Sequence, residues 1–190
     1  MEYQNIVYER ADTVGIVTLN RPGRQNALSI ALLEEMNRCL TGVAESREVK
    51  VLVVRAAGKN FCAGHDLGDL AGKDIAVHNR MFSICAEMML RLQRIPQPVI
   101  AQVHGIATAA GCQLVAACDL AVAEEGARFG TPGVNLGVFC SSPAVSIVRA
   151  VGRKRAMEML FTARLIGARE ACEWGLVNRV VPAERLEAET

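Results

Sequence analysis

Apolar and polar positions follow two different periodicities along this chain. Short, largely apolar or β-branched runs are typical of strands, and they cover residues 6–10, 14–19, 51–55, 99–103, 120–123 and 177–181. Apolar residues at helical spacing, with charged residues between them, predict helices over residues 28–43, 81–95, 114–118, 143–148, 157–161, 168–174 and from 182 onward. Strands that alternate with helices indicate an α/β fold, and residues 1–190 are expected to form one domain.

Composition and charge limit which partners and which cellular location are expected for this protein. The chain has 190 residues, is 51% hydrophobic and carries a formal net charge of +1. This balance favours neither nucleic acid nor a charged membrane surface as a partner. No apolar run approaches the roughly 20 residues needed to cross a bilayer, and the first residues lack the pattern of a signal peptide. We therefore expect a soluble, intracellular protein.

The seven cysteines are scattered and odd in number. The chain contains no Cys-x-x-Cys motif, and Cys62 with His65 is only a lone pair of potential ligands, so no metal site is expected. Reduced thiols in a core fit the cytosol or another reducing compartment. The expected location is cytoplasmic, or mitochondrial if the source is eukaryotic and the chain is processed.

Small residues follow the strand predicted over residues 99–103. The segment Gly105-Ile-Ala-Thr-Ala-Ala-Gly-Cys-Gln113 is predicted to be a turn that opens a helix. Such a turn lets a ligand approach backbone N–H groups at the positive end of the helix dipole. Donors placed in this way can hold a carbonyl oxygen on which negative charge develops.

Another small-residue turn follows the strand over residues 51–55, and it is the first of the two turns along the chain. In Phe61-Cys-Ala-Gly-His-Asp-Leu67, Ala63 and Gly64 leave the neighbouring N–H groups uncovered. Two turns that each aim one donor at the same oxygen would form an oxyanion hole. The alternative is that the small residues serve close packing.

At these motifs the chain resembles the enoyl-CoA hydratase/isomerase family, the crotonases. The matching segments are Asn20-Arg-Pro-Gly-Arg-Gln-Asn-Ala-Leu28, residues 61–67, residues 103–119, Phe129-Gly-Thr-Pro-Gly133 and Ala171-Cys-Glu-Trp-Gly-Leu-Val177. The resemblance implies a crotonase-like β/α spiral that binds an acyl-CoA thioester and assembles as a homotrimer or hexamer. Coenzyme A would enter as part of the substrate, with no permanently bound cofactor. Relative to the family, the chain is expected to lack the last C-terminal helices.

The resemblance also assigns site residues. The family's oxyanion donors map onto the backbone N–H groups of His65 and Ala110. Its CoA-contacting positions map onto eight residues: Gln25, Ala27, Leu28, Ala63, Gly64, Asp66, Leu67 and Gly111.

The two hydratase glutamates of the family map onto Gln113 and Gly133, so neither acid is present. General acid–base catalysis typically contributes about 10²–10⁴-fold, and neither residue can supply it. We expect weak or no hydration, and the double change Gln113→Glu with Gly133→Glu is expected to raise it more than either single change. An isomerase or a decarboxylase that stabilises a thioester enolate is the favoured function. The alternative is a catalytically silent acyl-CoA-binding or regulatory protein.

Several side chains near these motifs have competing interpretations. The His65 ring either transfers protons or packs while only its N–H acts. Asp66 either caps the following helix or faces the ligand. Arg21 and Arg24 either meet CoA phosphates or lie in a solvated loop. Cys140-Ser-Ser142 could hold a nucleophile, but no base lies at a recognisable spacing.

Overall fold

The computed structural model describes residues 3–190. Its strands are β1 (Ile6–Ala11), β2 (Val14–Leu19), β3 (Val51–Ala56), β4 (Val99–Val103), β5 (Ile106–Thr108), β6 (Leu120–Glu124), β7 (Arg128–Gly130), β8 (Ile166–Gly167) and β9 (Arg179–Val181). Its α-helices are α1 (Ile30–Glu45), α2 (Ile75–Leu92), α3 (Ala110–Ala117), α4 (Ser141–Val151), α5 (Arg153–Thr162), α6 (Ala168–Trp174) and α7 (Leu186–Glu189). The predicted α/β fold is confirmed.

The main sheet has six strands in the order β1-β2-β3-β4-β6-β9. Only β1 runs antiparallel to its neighbour, and every other pair in this sheet is parallel. The central strands β3 and β4 are mostly buried, with Leu52, Val54, Val99 and Ala101 inaccessible to solvent. Helices cover the parallel strands, which explains why these strands appear in the sequence as apolar runs instead of alternating patterns.

A second, smaller sheet of β5, β7 and β8 differs from the expectation. Residues 105–113 were expected to be a turn leading into a helix, but β5 lies inside that segment. Isolated bridges join Cys62 to Ala107 and Leu28 to His65, which extend this sheet towards the first small-residue turn. Strands of two or three residues carry too short a pattern to predict, because tertiary pairing determines them.

The helix boundaries follow from their caps. The Ser29 side chain accepts a hydrogen bond from the Leu32 N–H at the start of α1, and Asp74 accepts one from the Val77 N–H at the start of α2. Helix α2 therefore begins six residues before the predicted position 81, and it ends at Leu92 instead of residue 95. Its buried face, which includes Met81, Cys85 and Met88, packs into the main core.

Residues 3–190 contain neither a candidate membrane-spanning helix nor a candidate metal-binding cluster. None of the helices in this range is both long and apolar enough to cross a membrane. The same range holds no cluster of three or more histidine, cysteine or acidic side chains suited to a metal ion.

Candidate active site

An open cleft of about 610 Å³ lies where the two small-residue turns meet. Five parts of the chain line it: the loop around Gln25, the segment from Ala63 to Leu70, Phe82 of α2, the start of α3, and residues from Pro132 to Pro143. Most of these parts follow the carboxyl ends of strands, where binding sites of parallel α/β folds usually lie.

The first turn directs the His65 N–H away from the neighbouring loop. The Gly64 carbonyl accepts a hydrogen bond from the Leu28 N–H at 2.8 Å, and the Asp66 N–H donates to the Leu28 carbonyl at 3.0 Å. In a planar trans peptide the C=O and the next N–H point in opposite directions. The His65 N–H therefore points away from Leu28.

The second turn directs the Ala110 N–H out of the start of α3. The Ala109 carbonyl accepts a hydrogen bond from the Gln113 N–H at 3.0 Å, so it points along the helix. The Ala110 N–H on the same peptide points the opposite way, out of the helix N-terminus. Ala109 has φ 50° and ψ −120°, a conformation that costs a non-glycine residue about 1–3 kcal/mol.

The two turns touch each other. A Cβ atom placed on Gly64 would lie 2.9 Å from the Ala109 Cβ and 3.4 Å from the Ala110 nitrogen. His65 and Ala110 both line the cleft. Within residues 3–190, neither of their backbone N–H groups donates to a protein acceptor. The cleft therefore holds two backbone donors that a ligand oxygen can use.

The His65 ring packs edge-on against Phe82, with ring centroids 5.0 Å apart. Burial lowers the pKa of His65 to about 4, because the protonated ring would lose its hydration. Its Nε2 atom is buried and has no partner within the described residues. The ring is neutral near pH 7 and is a weak base there.

Asp66 is held by two structural contacts. Its side chain accepts a hydrogen bond from the Gly68 N–H at 3.0 Å and pairs with Arg21 at 2.9 Å. Burial alone would raise the pKa of this carboxyl group, but these hydrogen bonds and the charges of Arg21 and Arg24 lower it. Arg21 also donates to the Ala27 carbonyl. Asp66 caps the short 3₁₀ helix Leu67–Asp69, and it also lines the cleft.

The positions of the two family acids have different surroundings. Gln113 is 6% exposed, and its Oε1 atom has no partner in the described chain. Gly133 lines the cleft, but a Cβ atom there would lie 2.5 Å from the Val138 carbonyl oxygen and 2.6 Å from the Cys140 Sγ. A glutamate at 133 fits only if the Val138–Cys140 segment moves, so the expected double restoration is not a simple exchange of side chains.

The remaining predicted positions divide into two groups. Gln25, Ala27, Ala63 and Leu67 line the cleft. Leu28, Gly64 and Gly111 have buried packing positions outside the lining, and a Cβ atom at Gly111 would lie 2.1 Å from the Cys62 carbonyl oxygen. At Gly64 and Gly111 the small residue therefore allows two backbones to approach, which was the alternative interpretation of these turns.

Sequence reasoning did not assign the apolar residues that line much of the cleft. Phe82, Leu136, Val138 and Phe139 line it, and all four remain at least 42% exposed. Their signal in the sequence was weak, because large apolar residues in a helix or loop are normally assigned to the core.

Comparisons with known proteins identify the family. The family model described as enoyl-CoA hydratase/isomerase matches residues 9–190. The chain belongs to the enoyl-CoA hydratase/isomerase family. It is 49% identical over 182 residues to the mouse protein named enoyl-CoA hydratase domain-containing protein 3, mitochondrial, and 46% identical to the human one. The run of residues 107–114 already indicates this subgroup, and the likeness is confirmed.

Coverage shows how much of these relatives the chain represents. The mouse match covers 94% of this chain and 60% of the mouse protein, so the chain spans about 60% of the length of such curated relatives. A short-chain-enoyl-CoA hydratase from Clostridium acetobutylicum is 37% identical, with 98% of this chain and 72% of that protein covered.

Solved structures confirm the crotonase-type fold. An enoyl-CoA hydratase from Mycobacterium smegmatis superposes with a TM-score of 0.96 at 48% identity, over 98% of this chain and 73% of that one. Human enoyl-CoA hydratase domain-containing protein 3 gives a TM-score of 0.96 at 43% identity, over 98% and 74% of the two chains.

Proposed function

We propose that the cleft binds an acyl-CoA thioester and stabilises its enolate with the backbone N–H groups of His65 and Ala110. The observation that carries this proposal is that His65 and Ala110 line one cleft, and that neither of their N–H groups has an acceptor within residues 3–190. Removing one such donor from an oxyanion hole typically costs about 10²–10³-fold in rate. The C. acetobutylicum relative is named for an enoyl-CoA substrate, which supports a CoA thioester here.

Coenzyme A would be held as part of the substrate, without a resident cofactor. Arg24 and Gln25 lie at the cleft, where a guanidinium group could meet a CoA phosphate. Arg21 is instead engaged by Asp66 and the Ala27 carbonyl. The adjoining apolar residues Leu67, Leu70 and Phe82 would contact the pantetheine arm or the acyl chain.

The reaction we propose is decarboxylation of a malonyl-type CoA thioester, with isomerisation as the other enolate chemistry. Gln113 and Gly133 supply no carboxylate to activate water, and His65 is neutral with a lowered pKa. Loss of CO₂ generates the enolate without a base, since the C–C bond electrons move into the thioester. The two N–H groups would then stabilise the negative oxygen.

The test is to incubate the protein with malonyl-, methylmalonyl-, enoyl- and hydroxyacyl-CoA and to follow each thioester by mass spectrometry. We expect CO₂ loss from a malonyl-type thioester and little or no hydration of an enoyl-CoA. Binding of several thioesters without turnover of any would contradict the proposed activity and favour a silent acyl-CoA-binding protein. Rapid hydration would contradict the argument from Gln113 and Gly133.

We also propose that the protein assembles as a homotrimer or hexamer. Exposed apolar side chains surround the cleft, and Phe139 and Phe161 pack together with ring centroids 5.6 Å apart. Exposed apolar patches of this kind mark interaction surfaces. Light scattering on the purified protein measures the assembly directly, and a monomer at micromolar concentration would contradict the proposal.

A reducing compartment is supported by the free thiols of all seven cysteines, and a mitochondrial one by the names of the mouse and human relatives.

A further inference from the structure

We propose that the Cys140 thiol protonates the α-carbon of the enolate. It would replace the acid of the family that maps onto Gly133. This inference rests on the proposed decarboxylation and names its proton donor. Cys140 would be a catalytic residue, because its hydrogen is transferred to the reacting carbon.

The position of the thiol supports this role. Cys140 lines the same cleft as His65 and Ala110. Its Sγ atom would lie 2.6 Å from a Cβ atom on Gly133, so the sulfur occupies space that the stem of a side chain at 133 would need. The thiol therefore lies beside the position onto which one of the family's acids maps.

The other titratable groups that line the cleft are unsuited to the transfer. Asp66 is ionised and paired with Arg21, and its lowered pKa leaves it without a proton near pH 7. His65 is neutral and packs edge-on against Phe82. Arg24 is the residue proposed to meet a CoA phosphate. Burial raises the pKa of Cys140, which keeps the thiol protonated at neutral pH.

A second observation concerns Gln113, which follows Ala110 by three residues in α3 and is not among the residues that line the cleft. Gln113 is 6% exposed, and its Oε1 atom is buried without a hydrogen-bond partner in the described chain. Side chains of a helix lean towards its N-terminus, so Gln113 on α3 leans towards Ala110. A buried orphan acceptor costs about 1–3 kcal/mol, which a donor group on a ligand or a water would recover. The amide can position such a group but cannot titrate, so the proton must come from another residue.

The proposed step balances atoms and charge. The bond between the α-carbon and the carboxylate breaks, CO₂ leaves, and the electron pair forms the enolate. The Cys140 S–H bond then breaks, a C–H bond forms at the α-carbon, and the thioester carbonyl is restored. A water molecule returns a proton to the thiolate. A thiol is a much stronger acid than a thioester α-carbon, so the transfer is favourable.

The test is decarboxylation of methylmalonyl-CoA in D₂O, with the configuration of the deuterated propionyl-CoA measured by NMR after derivatisation. We expect the unmodified protein to place deuterium on one face of the α-carbon. With Cys140→Ala, CO₂ should still be released, but deuterium should arrive from solvent on both faces. Cys140→Ser, with a far weaker acid of similar size, should show the same loss of configuration. The matched control is Cys172→Ala, a half-buried cysteine outside the cleft, which should retain one configuration.

The outcomes separate the two proposals. If Cys140→Ala and Cys140→Ser are folded by circular dichroism and both still label one face, the assignment of Cys140 is wrong while the proposed decarboxylation stands. If the unmodified protein releases no CO₂ from any malonyl-type thioester, the proposed function fails, and the role of Cys140 fails with it.

Discussion

Ala109 holds the least favourable backbone conformation near the cleft, and its contacts show why it is kept. Its N–H donates to the Gly130 carbonyl at 2.9 Å, and its carbonyl accepts from the Gln113 N–H. These two bonds fix the orientation of the next peptide, which carries the Ala110 N–H. Backbone strain of this kind persists only where surrounding contacts determine it, and it clusters at functional sites.

The lowered pKa of the His65 ring predicts that the stability of the protein depends on pH. Its pKa is lowered from 6.5 to about 4, so below pH 6.5 the unfolded chain takes up a proton that the folded chain does not. Stability is therefore full above pH 6.5 and falls as the pH decreases, until the folded state also binds the proton near pH 4. We expect the free energy of unfolding to fall by about 2 kcal/mol between pH 7 and pH 5.

Urea unfolding at the two pH values measures this effect. His65→Gln should lose most of the dependence, whereas His104→Gln, which alters a histidine outside the cleft, should retain it. Equal pH dependence in all three proteins would show that the His65 ring is not responsible.

Among the elements, α3 is placed by its contact with Cys62 of the first turn. Ala110, Gly111 and Cys112 are all buried, and Gly111 lies directly against the Cys62 carbonyl. The Cys62 N–H donates to the Ile106 carbonyl, and the Thr108 N–H donates to the Cys62 carbonyl. Helix α3 and β5 are therefore fixed against the first turn as one unit.

Two glycine substitutions test this contact. Gly111→Ala would place a Cβ atom 2.1 Å from the Cys62 carbonyl oxygen, so we expect a loss of about 3 kcal/mol or more in unfolding free energy. The matched control is Gly42→Ala in α1, where the position is exposed and nothing lies within 4 Å of the added Cβ. That change should stabilise the protein by about 0.5–1 kcal/mol, because alanine favours helix more than glycine. A folded Gly111→Ala protein of unchanged stability would contradict the close approach of α3 to Cys62.

At the scale of the whole molecule, the cleft joins parts of the chain that are distant in sequence. Its lining runs from Gly23 to Pro143 and includes loops on both sides of α2 and α3. A ligand that binds there contacts the folded chain only, since the unfolded chain does not bring these loops together. Ligand binding and folding should therefore be coupled.

An acyl-CoA thioester should raise the thermal stability of the protein. At a concentration 100 times the dissociation constant, a ligand specific for the folded state adds about 2.7 kcal/mol. Ser141→Trp places a large ring at an exposed position that lines the cleft, and it should abolish the shift in melting temperature. Val145→Trp, one turn further along α4, is exposed but outside the lining and should leave the shift intact. An undiminished shift in Ser141→Trp would place the thioester elsewhere.

The sequence alone was sufficient for the strands of the main sheet, the existence of the principal helices and the family. The apolar runs at residues 51–55 and 99–103 are long enough to identify buried strands, and the periodicity of residues 28–43 identifies α1 within two residues at each end. These elements bury enough apolar surface for local pattern to determine their type. The motifs around Gly64 and Gly111 likewise identified the family, because each small residue there satisfies a strict steric requirement.

Only the tertiary structure decided how these motifs are arranged. The strands β5, β7 and β8 exist through pairing between segments distant in sequence, and no local pattern specifies such short strands. The thiol of Cys140 beside Gly133, the pairing of Arg21 with Asp66 and the lowered pKa of His65 likewise depend on distant neighbours. Burial and electrostatic environment are set by packing in three dimensions. Residue types and spacing therefore identified residues of this cleft, but not their hydrogen-bond partners or protonation states.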